Sequence, residues 1–303
     1  MIEISPSHAQ DIRAKLANSG VATHDITLDH LLPVYKGWQD RPAIAQNMCA
    51  KIDGSKHQVL PLDVPMVAVI VETRKNFNLC FSINQIRKFL NVPIQLFHGP
   101  GNLDFIMKSN LNKLVKSGDL ILTPLASDNL NAAAYNQLFL TKPFWNSLIG
   151  RQKILVFQTD SILCKRSDFT IQEFFNFDYI GSDWNRAWFC DFFIDGGNGG
   201  LSLRDWQKSV ETITRFPTPR IDFPEDIFFA FHIELIGGKV GKPASCDRFS
   251  SQDQYHQRSF GAHKMHHMTQ LERIRFLAYC PSAWRILPRV RQIGCYLDKL
   301  IKR

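Results

Sequence analysis

Apolar residues along this chain fall into short β-branched runs separated by segments of helical period. Residues 64–71 read Val-Pro-Met-Val-Ala-Val-Ile-Val, apolar at every position, as in a strand buried on both faces, and the run stops at Glu72-Thr73-Arg74. Residues 79–90 follow with apolar side chains at helical spacing. Residues 93–99, 119–125 and 153–157 predict three more strands, and residues 131–148 predict a helix broken near Pro143. A short helix is expected in 7–16. Strands alternating with helices define an α/β protein whose mostly parallel central sheet is flanked by helices. Ligands of such sheets bind outside the carboxyl ends of the strands. Glu72-Thr73-Arg74 and Gln158-Thr159-Asp160 sit at two such ends and are expected to face one cleft. Residues 1–60 are expected to pack on the core, 61–268 to form one domain, and 269–303 to form a helical extension.

Composition narrows the class. The chain has 303 residues, 45% of them hydrophobic and 21% charged, ordinary for a globular protein, with 23 Phe to fill a thick core. Seven widely spaced cysteines without a C-x-x-C argue against a disulfide framework or zinc ribbon and for reduced thiols in the cytoplasm. Met1 to Pro6 shows no signal-peptide start, and no apolar run is long enough to span a bilayer. The net charge of +8 suits phosphate-bearing substrates or anionic surfaces. Nucleic acid is not an expected partner, because no recognised binding motif or aromatic–basic platform accompanies the charge.

Three segments carry candidate chemistry. Asp160 closes an apolar strand at Phe157-Gln158-Thr159-Asp160-Ser161, where a carboxylate could ligate a hard cation together with substrate phosphates or could cap a turn. Ser161 could bond a phosphate or water. Gly196-Gly197-Asn198-Gly199-Gly200 permits positive φ and close approach of a ligand, or makes a tight hairpin; it is neither G-x-G-x-x-G nor a P-loop. Pro224-Glu225-Asp226 opens an apolar helix, where the acids complement the helix dipole or one serves as a general base. His263 is a candidate metal ligand, and Trp184 could stack on a sugar ring or pack in the core.

Together these segments resemble the GT-A glycosyltransferase superfamily. The likeness is to a GT-A-like domain family marked by V-E-T-R (Val71 to Arg74), Y-N with F-W (Tyr135-Asn136, Phe144-Trp145), F-Q-T-D-S (Phe157 to Ser161), Y-I-G-x-x-W (Tyr179 to Trp184), G-N-G-G-L-S-L-R (Gly197 to Arg204) and P-E-D (Pro224 to Asp226). These blocks run in order from about residue 64 to 264. The resemblance implies a GT-A-like, Rossmann-like fold and transfer of a sugar from a nucleotide-sugar to a saccharide or lipid-linked acceptor, with inversion. It implies Asp226 as base with Glu225 beside it, and Asp160 and His263 on a Mn²⁺ or Mg²⁺ ion. Glu72, Thr73, Arg74, Tyr135, Asn136, Gln158, Thr159 and Asp160 would hold the donor nucleotide. Trp184, Asn198, Gly199 and Gly200 would line the sugar and acceptor pocket. Gln158 stands where the metal motif usually has its first acid. A silent nucleotide- or carbohydrate-binding protein of the same fold is the alternative that this departure favours.

The last 33 residues carry six Arg and two Lys against Glu272 and Asp298. Ile286, Val290, Ile293, Leu297 and Leu300 recur at helical steps, with Pro288 in the first turn. Such a helix either lies on an anionic membrane surface or docks on its own domain. The first option would make the protein peripheral on the inner face of the membrane.

Overall fold

The computed structural model describes residues 8–22, 25–26, 52, 59–184, 188–189, 192–216 and 224–287. Helix α1 (His8–Asn18) comes first. Then strand and helix alternate through β1 (Met66–Val71), α2 (Asn78–Leu90), β2 (Ile94–His98), α3 (Pro100–Lys108), α4 (Leu111–Ser117), β3 (Leu120–Pro124), α5 (Ala132–Phe139), α6 (Lys142–Ser147) and β4 (Lys153–Phe157). The second half holds β5 (Ser161–Leu163), β6 (Tyr179–Ser182), β7 (Trp188–Phe189), β8 (Phe192–Phe193), β9 (Asn198–Asp205), α7 (Trp206–Arg215) and α8 (Glu225–Leu235). It closes with α9 (Pro243–Phe249), β10 (Ser250–Ser251), β11 (Gly261–His263) and α10 (Gln270–Tyr279).

The central sheet has the order β3-β2-β1-β4-β9-β6. The first four strands are parallel, and β9 alone runs against both its neighbours. That reversal matters for the site. Phe157, at the end of β4, pairs with Leu201, so the first residues of β9 lie at the edge where β1 and β4 end. Ser182, at the end of β6, pairs with Asn198 at the same edge. Four polar segments from distant parts of the chain therefore meet along one rim.

Strand alternation divides the core. Val67, Val69 and Val71 pack on one face with α5, α6 and α8, while Met66, Ala68 and Ile70 pack on the other with α2. The expected break near Pro143 is real: α5 ends at Phe139, and α6 restarts with Thr141 accepting from Phe144 N and Pro143 in its first turn. A small sheet, β10-β11-β5, sits beside the main one. Its apolar cluster of Ile162, Cys164, Ala262 and Met265 receives Phe276, Cys280, Ala283 and Ile286. The described start of the C-terminal extension thus docks on the protein, and α10 opens with a Thr269–Glu272 capping box. The helix expected beyond residue 287 lies outside the described residues, as do Cys49, Cys190 and Cys295. Cys80, Cys164, Cys246 and Cys280 are free thiols. Among the described residues no helix is long and apolar enough to cross a membrane.

Candidate active site

The ends of β1 and β4 enclose a cavity of about 200 Å³ lined by Val71, Glu72, Thr73, Arg74, Leu130, Tyr135, Gln158, Thr159 and Asp160. Seven of the eight residues expected to hold a nucleotide line it; Asn136, one step further along α5, does not. Glu72 is buried and organises the wall. Its carboxylate accepts from Arg74 N, Nε and Nη2 at 3.0, 2.9 and 3.0 Å, and from Asn76 Nδ2 at 3.0 Å. Asn76 also donates to Thr159 Oγ1 at 2.8 Å, tying the two strand ends together. The hydrogen bond and charge of Glu72 hold the Arg74 guanidinium above its ordinary pKa, while its head stays largely exposed. The Tyr135 hydroxyl is buried beside Gln158 without a hydrogen bond of normal geometry, and burial pushes its pKa up. Asn102, which donates to the Glu72 and Arg74 carbonyls, is a further organising residue that no sequence signal marked.

Asp160 meets His263. Strand β11 pairs with β5 so that His263 stands opposite Ser161, next to Asp160 in sequence. His263 Nε2 lies 3.3 Å from Asp160 Oδ1 and 3.1 Å from Gln158 Oε1, and its Nδ1 lies 3.0 Å from Gln252 Oε1. Burial opposes the Asp160 charge, but the hydrogen bond and charge of His263 and the charge of Lys264 outweigh it and lower its pKa. With Nδ1–H donating to Gln252, a carboxylate oxygen, an amide oxygen and an imidazole lone pair face one another. A proton or a cation at that point reconciles them. Carboxylate, carbonyl and imidazole donors together suit Mn²⁺, and the residues therefore fit the expected metal. Gln252 is the orienting partner that sequence reading missed.

Gly199 and Gly200 join this corner to the acidic pair. A Cβ on Gly200 would lie 2.1 Å from His263 Cε1, whereas a Cβ on Gly199 would lie 2.5 Å from Glu225 Oε1 and 3.0 Å from Asp226 Cβ. Successive strand residues face opposite ways, so one dipeptide receives the histidine on one side and the acids on the other. The positive-φ turn before β9 falls to Gly196 and Gly197, whose φ values are 113° and 85°.

The two acids have different environments. Glu225 is 3% exposed, and both its oxygens are taken by Arg204, Nη1 to Oε2 at 2.5 Å and Nη2 to Oε1 at 2.9 Å. Arg204 is fully buried, with its guanidinium over the rings of Phe139, Tyr179 and Phe229. Burial pushes the Glu225 carboxyl upward and would push Arg204 downward; the bidentate contact holds Arg204 protonated, above its ordinary value, and the pair is ionised. Glu225 thus anchors α8 to β9 and is closed to a substrate hydroxyl. Asp226 is half-buried. Its Oδ2 accepts from Gly199 N at 3.0 Å and its Oδ1 from Ile227 N at 2.9 Å, which fixes the carboxylate and leaves lone pairs on both oxygens.

Other expected residues have structural partners. Ser161 is buried, accepts from Gln158 N and donates to the Gly200 carbonyl, so it is not available to a phosphate. Trp184 packs partly buried against the core and donates its indole N–H to Ile194 O. Asn198 Oδ1 accepts from Gly200 N and shapes the turn into β9. A larger cavity of about 650 Å³, bounded by Met66, Phe89, Pro93 and Phe175, opens at the amino end of β1, away from every one of these groups.

The profile of the family described as protein of unknown function (DUF5672) matches residues 123–263, which includes β4, the glycine segment, the acidic pair and His263. No curated protein matches the chain. Among solved structures, one similar chain is a Bacillus anthracis protein described as a glucose-1-phosphate thymidylyltransferase, in complex with sucrose. It shares 11% identity at a TM-score of 0.35, over 56% of this chain and 83% of that one.

Proposed function

We propose that the protein is a glycosyltransferase that uses a nucleotide-sugar donor and inverts the anomeric carbon. The observation that carries this reading is the Gly199-Gly200 junction. It sets a carboxylate free to take a proton, Asp226, across one strand from a corner of cation ligands, Asp160 and His263, beside the polar cavity at the ends of β1 and β4.

In this reading Glu72, Thr73, Arg74, Tyr135, Gln158 and Thr159 bind the nucleotide, with Arg74 held toward its phosphates by Glu72. Asp160 and His263, oriented by Gln252, would hold the divalent cation, and the imidazole donor favours Mn²⁺ over Mg²⁺. When bound, the cation supplies positive charge for the diphosphate. Asp226 takes the proton from an acceptor hydroxyl as that oxygen bonds to the anomeric carbon. The bond from that carbon to the diphosphate oxygen breaks on the opposite face, and its electron pair leaves with the nucleoside diphosphate. Glu225 positions α8 through Arg204 and takes no part in proton transfer.

The test is a panel of nucleotide-sugars with Mn²⁺ or Mg²⁺, scored for hydrolysis and for transfer to saccharide acceptors, with Asp226→Asn and Asp160→Asn alongside. Turnover by the wild type that falls in both variants supports the reading. Turnover undiminished in Asp226→Asn refutes the base assignment. Gln158, in the usual place of an acid and engaged by His263, favours a second reading: donor binding without turnover. A saturable thermal shift with nucleotide-sugar and no product would select it.

A further inference from the structure

We propose that Asp183, Asp247 and His256 form a divalent-cation site for a first-row transition metal, Zn²⁺ or Mn²⁺, beside the end of β6. The site shares no residue with Asp160 and His263 and does not rest on the transferase reading. Asp183 follows the last residue of β6, Asp247 lies on α9, and His256 lies in the loop between β10 and β11. One ligand atom from each lies within 4.8 Å of the others. Three segments that are distant in sequence therefore converge on a volume the size of one coordination sphere.

One acceptor of the cluster is unmatched. His256 Nε2 points at Asp247 Oδ1 from 3.1 Å, and that oxygen is shut off from solvent with no donor at hydrogen-bonding angle. Asp183 brings a second carboxylate to the pair. Among the described residues it has no cationic partner and no hydrogen-bond donor, and its charged neighbours are Asp247, Asp253 and Asp195. A protonated His256 could satisfy Asp247, and burial beside other acids raises the Asp183 pKa, which favours a proton there when no metal is bound. One divalent ion compensates both carboxylates and uses the imidazole lone pair.

The scaffold holds the ligands in advance. Ser182, next to Asp183, donates to Ser250 Oγ at 2.6 Å, and His256 N donates to Ser251 Oγ at 2.9 Å. Ser251 in turn shares a 2.9 Å hydrogen bond with Ser259. Two carboxylate oxygens and one imidazole nitrogen supply three protein ligands, the number found in open Zn²⁺ sites. The nitrogen also disfavours Mg²⁺ and Ca²⁺, which select all-oxygen shells. A metal here would tie the end of β6, and Trp184 with it, to α9.

Asp160→Asn in the full-length chain removes the cleft carboxylate and isolates this site. Equilibrium dialysis of that variant against Zn²⁺ and against Mn²⁺ is expected to retain about one equivalent of metal. On the same background, Asp183→Asn and His256→Gln are each expected to weaken binding by at least about tenfold, with circular dichroism confirming the fold. Co²⁺ added to Asp160→Asn is expected to give visible absorption bands of a low-coordinate site that saturate at one equivalent, a readout that needs no further variant. Absence of bound metal, saturation by Mg²⁺ or Ca²⁺ with no response to Zn²⁺ or Mn²⁺, or unchanged affinity in His256→Gln overturns the proposal. Failure of the transferase reading would appear in the nucleotide-sugar panel and leaves this result unaffected.

Discussion

Removing one member of the Arg204–Glu225 pair is expected to destabilise the protein severely, and the two possible removals should differ in their response to pH. Glu225→Ala strands a guanidinium that is fully buried among three aromatic rings and cannot lose its proton. Breaking such a pair costs about 3–5 kcal/mol, a large share of a typical stability of about 5–15 kcal/mol. This cost should be flat between about pH 5 and 8, since arginine does not titrate there. Arg204→Met instead strands a carboxyl whose pKa burial already pushes up. Its folded pKa then lies above its unfolded value near 4.3, so folding takes up a proton. The stability of this variant is fully present below the unfolded pKa and is lost as pH rises toward the folded one, at up to about 1.4 kcal/mol per pH unit. The double variant Arg204→Met/Glu225→Leu should recover most of the loss. Urea midpoints followed by tryptophan fluorescence across that pH range test all three. A Glu225→Ala penalty under about 1 kcal/mol, or equal pH slopes for the two single variants, would refute the buried-pair reasoning.

Asp226→Asn should keep the fold, because its amide oxygen can still accept from Gly199 N, yet lower sugar transfer by about 10²–10⁴-fold in a product assay. Gly200→Ala places a methyl 2.1 Å from the His263 ring, so the ring must swing away from Asp160. We expect a loss of about 1–3 kcal/mol and loss of the Mn²⁺-induced thermal shift, and an unchanged melting temperature with an intact Mn²⁺ shift would contradict the close approach. The lowered pKa of Asp160 contributes stability that is present above its unfolded value and lost as pH falls through the folded one. The stability gap between wild type and Asp160→Asn should therefore close on acidification below about pH 4, measurable as converging urea midpoints.

The parallel half of the fold was legible because β1 is a continuous apolar run and β2, β3 and β4 are short segments rich in apolar residues, and the Pro143 break was legible because proline cannot continue a helix. The meeting of the 72–74 and 158–160 segments followed from the rule that parallel strand ends share one edge. The reversal of β9 left no mark, since Leu201, Ser202 and Leu203 suit either direction. The pairing of β5 with β11 was equally hidden: three-residue strands carry no period, and their partners are about 100 residues apart. Gln252 and Asn102 are single polar residues whose importance lies only in what they touch. The different fates of Glu225 and Asp226 could not be read either, because a helix-start acid looks the same whether it anchors or faces substrate. The Asp183–Asp247–His256 cluster escaped for a related reason, as its members have no motif spacing.

The Gly199-Gly200 junction also limits how this protein could be remodelled. The dipeptide spans about 3.8 Å between Cα atoms and meets the His263 ring on one side and the Glu225–Asp226 acids on the other. No side chain fits at either position without displacing the histidine or the buried ion pair. Selection for a new substrate would therefore have little freedom at the centre and would work through the cavity walls, at positions such as Arg74 or Thr159. Libraries that randomise the two glycines should return mostly unfolded or silent clones, and libraries directed at the rim should hold the variants with altered preference.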